Sequence, residues 1–112
     1  MSASLKIELG PCDDDAKLFI DGHVAMDVGL GESRTAVRAF QDGDHSVGLY
    51  VTNSGGWAWQ ARLRLVANGN EAVFVDKQGG TGVWTGQVFG STWQFTVKDG
   101  KFSEFIAAEG NK

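Results

Sequence analysis

Proline is nearly absent from this 112-residue chain, Pro11 being the only one, and Cys12 is its only cysteine. One cysteine excludes an intramolecular disulfide and any Cys-rich metal site. The acidic run Asp13 to Asp15 beside it disfavours a thiolate, so Cys12 reads as an unreactive residue at a strand end. A membrane span is not expected, because no apolar run approaches the roughly 18 to 20 residues it needs. Basic residues are too few and too scattered for a nucleic-acid groove: 10 Lys and Arg face 14 Asp and Glu, a net charge of −4. The first residues, Met1 to Leu9, lack the basic and apolar regions of a signal peptide. The expectation is a cytoplasmic chain, or a secreted one whose signal has been removed.

Glycine is what the chain has in excess, with 16 residues. Helical periodicity is scarce, and period-two alternation recurs from end to end. Leu5, Ile7 and Leu9 share one face, as do Val47, Leu49 and Val51. From Trp57 to Val66 the inner face would carry Trp57, Trp59, Ala61, Leu63 and Leu65, and the outer face Gln60, Arg62 and Arg64. Turn signals separate these runs at Asp21-Gly22, Asp42-Gly43, Asn68-Gly69 and Asp99-Gly100. Between Lys17 and Val28, pairing Ile20 with Val24, Leu18 with Met26 and Ala16 with Val28 puts every apolar residue on one face. That register predicts a three-residue loop. Gln78 to Gly82 reads as a loop, and Gly90-Ser91 as a turn joining Val83–Phe89 to Thr92–Lys98. About nine or ten short strands at this spacing predict an all-β fold. The expectation is a single antiparallel β-sandwich, jelly-roll-like, with residues 1–112 as one domain.

Catalytic chemistry has little material. His23 and His45 both sit at or beside Asp-Gly turns, where polar residues serve the turn. No nucleophile elbow, phosphate loop or metal-ligand spacing occurs, so the chain is expected not to be an enzyme. Loop oxygens that calcium could use are plentiful, at Asp13 to Asp15, Asp42, Asp44, Asn53, Asn68 and Asp76. They follow no calcium motif, so no cofactor is expected. The four tryptophans offer more. Trp57, Trp59 and Trp93 fit core positions, and Trp84 falls in the opposite phase to Val83 beside a glycine-rich stretch.

The stretch from Lys17 to Gly69 resembles the strand-and-turn pattern of small calcium-dependent xylan-binding modules. The matching text is Phe19-Ile-Asp-Gly22, Gly43-Asp-His-Ser-Val47, Val51-Thr-Asn53 and Val66-Ala-Asn-Gly69. The resemblance implies a β-sandwich and a carbohydrate ligand. It does not imply calcium for this chain, since the family's metal-binding Asp after Thr-Asn is Ser54 here and no Asp-Arg-Asn follows.

The leading expectation is therefore a non-catalytic binding domain for carbohydrate. Trp57 and Trp84 would be stacking platforms, Gln60, Arg62 and Arg64 hydrogen-bond donors, and Asn53 and Asp76 loop acceptors. Gly55-Gly56 and Gly79-Gly80-Gly82, each preceding a tryptophan, mark the expected rim. The alternative is a protein-interaction or assembly subunit that docks through a sheet face or an edge strand.

Overall fold

The computed structural model describes residues 2–12, 15–29, 31–53, 59–79 and 86–108, with the backbone alone at 53 and 86–88. Trp57 and Trp84 lie outside the described residues. Ten strands run through the rest: β1 (Ser2–Leu9), β2 (Asp15–Ile20), β3 (His23–Val28), β4 (Arg34–Gln41), β5 (Gly43–Asn53), β6 (Trp59–Ala67), β7 (Asn70–Gly79), β8 (Gly86–Lys98), β9 (Lys101–Phe102) and β10 (Ile106–Ala107). They form two antiparallel sheets, ordered β4-β1-β6-β7 and β10-β8-β5-β2-β3, with β9 beside β8. The protein is an all-β sandwich.

The alternation places the core. Leu5, Ile7 and Leu9 from β1 and Leu63 and Leu65 from β6 face Leu18, Leu49 and Val51 of the other sheet, all at most 1% exposed. Each such side chain contributes about 1.5–3 kcal/mol through burial. Trp93 is buried, and Trp59 is partly buried against the core. A side chain at Gly79, which pairs with Trp59 on β6, would collide with the Trp59 indole. This glycine, expected in a loop before a tryptophan, is a strand residue that makes room for a different one. Cys12 is buried, its Sγ donating to the carbonyls of Val28 and Gly29 at 3.3 and 3.2 Å.

Three turn expectations need correction. Asp21 (φ 50°) and Gly22 (φ 84°) form a two-residue turn, with Ile20 opposite His23. Positive φ at both central residues is the type I′ solution that Asp-Gly favours. Leu18 still faces Met26 and Ala16 still faces Val28, because a bulge inserts Ala25 as an unpaired extra residue. The bulge absorbs the slip that the three-residue loop was invoked to avoid, and it leaves Val24 53% exposed. Gly90-Ser91 is no turn: β8 runs through it for 13 residues, pairing Gly90 with Tyr50 and Ser91 with Leu49. Asp42-Gly43 joins strands of different sheets, with Gly43 at φ 134°, and so makes a corner rather than a hairpin.

Candidate functional site

The sandwich has two outer faces of different character. On the first sheet, Gln60, Arg62 and Arg64 project from β6 as the alternation predicts, and Gln60 is exposed. Asp76 is a strand residue on β7 directly opposite Arg62. Arg62 Nη2 lies 3.2 Å from Asp76 Oδ2, and its guanidinium carbon sits 5.9 Å from the centre of the Phe74 ring. Arg64 donates through Nε to Glu71 at 2.8 Å and through Nη1 to Glu8 at 3.2 Å. The hydrogen bond to Glu71, outweighing partial desolvation, raises the Arg64 pKa further, with Glu8 adding to it. Lys6 lies 3.4 Å from Glu8. The arginines expected to meet a ligand are thus matched by carboxylates of their own sheet, in a solvated charge lattice. Asn53 ends β5, with its backbone opposite Gly86.

The second sheet presents a different surface. Phe19 and Tyr50 point outward from β2 and β5, their rings 5.1 Å apart and edge to face at 70°. Both stand in the polar phase of their strands, Phe19 between buried Leu18 and Ile20, and Tyr50 between buried Leu49 and Val51. Between and beside them the face is glycine: Gly48 pairs with Phe19 and Thr92, and Gly90 with Tyr50. A depression of about 270 Å³ lies over Gly48, bordered by Phe19, Tyr50, Ser46 and Thr92. Ser46 also borders a second, larger depression of about 730 Å³, which continues past Gln94, Asp44 and Thr96 to Ser103, Glu104 and Ile106. The two form one trough along β5. From Asp44 to Tyr50 it spans roughly 20 Å at about 3.3 Å per residue. Tyr50 is 39% and Ile106 62% exposed.

A polar clip holds the end of this trough. Asp21 Oδ1 accepts from the Ser46 amide at 2.9 Å, while Asp21 Oδ2 lies 2.8 Å from His45 Nδ1. His45 Nε2 lies 2.7 Å from the Gln41 carbonyl oxygen. Burial of the imidazole opposes its charge, but the Gln41 carbonyl and the Asp21 carboxylate outweigh that effect and lift the His45 pKa above its ordinary 6.5. His45, expected as turn punctuation, is a β5 residue that ties the β2–β3 turn to the end of β4, its ring edge to face with Phe40. Thr96 Oγ1 donates to Asp44 Oδ1 at 2.9 Å. At the other end of the face, Lys17 is bound by Asp15 and Asp27 at 2.8 and 3.2 Å, hydrogen bonds that raise its pKa. Among the described residues, no group of three or more His, Cys, Asp or Glu side chains is placed to hold a metal ion.

Phe19, Tyr50, Ser46 and Gln94 were not expected as site residues, although Phe19 and Ser46 fall within the matching text of the resemblance. The signal was present: two aromatics and two glycines occupying the solvent-facing phase of adjacent strands. Comparison with protein families, with characterised proteins and with solved structures finds no match to this chain.

Proposed function

We propose that this chain is a non-catalytic binding domain for carbohydrate, and that its ligand lies in the trough on the second sheet. The Phe19–Tyr50 pair beside a glycine floor carries this reading. An aromatic plane suits the C–H face of a sugar ring, while amide and hydroxyl groups such as Gln94 and Ser46 suit its hydroxyls. A mostly apolar platform with a few directed polar groups is the usual composition of a small-molecule site. His45 supports the non-catalytic part, since both its ring nitrogens face oxygen acceptors and this imidazole is not free to act as a general base.

Of the alternative, a protein-interaction or assembly subunit docking by a sheet face or an edge strand, the strand-addition form meets obstacles at the edges. Arg38 on β4 and Lys77 on β7 are exposed yet lie on the inward-facing side, opposite buried Leu5 and Ala61. β3 is bulged, and β10 is two residues long. Inward charges, bulges and short strands are the common means of blocking edge pairing.

Titration calorimetry against a panel of soluble oligosaccharides tests the proposal. Binding is expected, with Tyr50→Ala lowering affinity about tenfold, while the Arg62→Ala, Arg64→Ala double variant stays near wild type. Absence of binding across the panel, or binding lost only in the arginine variant, overturns the assignment.

A further inference from the structure

We infer that the trough selects by charge, admitting uncharged saccharides and rejecting anionic ones such as uronates and sulfated glycans; this rests on the carbohydrate reading above. The larger depression is lined by Asp21, Asp44 and Glu104. The only basic side chain among its lining residues is His45, whose Nδ1 lies 2.8 Å from Asp21 Oδ2 and whose Nε2 lies 2.7 Å from the Gln41 carbonyl oxygen. The cation nearest the aromatic end, Lys17, is held between Asp15 and Asp27. A sugar carboxylate or sulfate in the trough therefore meets Asp44 and Glu104, with no lysine or arginine among the described lining residues to offset them. The attractive contacts come from the aromatic pair, Gln94 and Ser46; the acids supply the repulsive element that specificity between similar ligands requires. Asp44 is fixed in place by Thr96 Oγ1, so its charge cannot turn away from a ligand without loss of that hydrogen bond.

The test compares neutral β-linked gluco-, xylo- and manno-oligosaccharides with oligogalacturonates and sulfated oligosaccharides on the wild type and on the Asp44→Asn, Glu104→Gln double variant. Asn and Gln keep the size of the originals and one acceptor oxygen each, and a thermal melt confirms that the variant folds. The wild type is expected to bind a neutral ligand at least about tenfold more tightly than its anionic counterpart. In the double variant the preference for the neutral over the anionic ligand should narrow about tenfold. Raising the salt to about 1 M, where screening acts within about 3 Å, should narrow the wild-type preference. Equal wild-type binding of neutral and anionic glycans, lost in Tyr50→Ala, overturns the charge selection and leaves the carbohydrate site standing. No glycan binding of either kind overturns both.

Discussion

The side-chain amide of Asn68 pairs with the backbone of Phe102 as a neighbouring strand would. Its Nδ2 donates to the Phe102 carbonyl at 2.9 Å, and its Oδ1 accepts from the Phe102 amide at 3.2 Å. Asn68 also holds φ at 53° in the β6–β7 turn, with Gly69 at 78°. One residue thus shapes a hairpin of the first sheet and ties it to the second, at the end where Phe40, Phe95, Phe102 and Phe105 pack together.

These two roles can be separated. Asn68→Gly keeps the turn conformation and loses both hydrogen bonds, for an expected loss of about 1–3 kcal/mol. Asn68→Ala adds the strain of a left-handed residue, about 1–2 kcal/mol more. Chemical denaturation of the two variants checks the order; equal stability of wild type and Asn68→Gly would show that the clamp contributes nothing.

His45 gives stability a pH dependence. The imidazolium donates to both Gln41 and Asp21, whereas the neutral ring can donate to only one of them. Its folded pKa lies above the ordinary 6.5, so the contribution is complete below about 6.5 and is lost as pH rises through the folded value. Melting temperature should therefore fall between pH 6 and pH 8 by more in the wild type than in His45→Gln. Parallel curves for the two proteins would contradict this.

Gly48 separates binding from folding. A Cβ there would lie 3.3 Å from Thr92 Oγ1, a contact that needs a shift of a few tenths of an ångström, and 3.9 Å from Phe19 Cβ. Replacing a strand glycine by alanine gains roughly 0.5–1 kcal/mol of backbone entropy, which offsets the tight contact. Gly48→Ala should melt near the wild-type temperature, yet bind oligosaccharide severalfold more weakly because the methyl group rises into the trough floor. Undiminished affinity in calorimetry would place the ligand elsewhere.

Arg38 and Lys77 should matter to solution behaviour more than to stability. With both replaced by valine, β4 and β7 each lose an inward-side charge, and light scattering should show assemblies that grow with concentration. A variant with the wild-type scattering profile would show that the edges need no such guard.

Inner faces were legible because burial acts on every second residue, as Leu63 and Leu65 demonstrate. Asn68-Gly69 and Asp99-Gly100 were legible because both central residues of their turns adopt positive φ. The β2–β3 register near its turn was not, since the bulge at Ala25 leaves no local mark in a stretch of ordinary strand formers. Gly90 read as a turn because glycine signals turns; it is a strand residue opposite Tyr50, a neighbour on a different strand. The trough was hidden for a related reason. Phe19 and Tyr50 interrupt the alternation of their own strands, and they become a platform only once β2 and β5 pair. Gln60, Arg62 and Arg64 were placed correctly on the outer face, but their carboxylate partners on β1 and β7 follow from register, which composition does not reveal.

The location of the ligand site is tested most directly by titrating the isotope-labelled protein with a neutral oligosaccharide and following backbone amide shifts. The account predicts perturbations concentrated at Phe19, Ser46, Gly48, Tyr50 and Gln94. Perturbations centred on Gln60, Arg62 and Arg64, or no response to any neutral oligosaccharide, would contradict it.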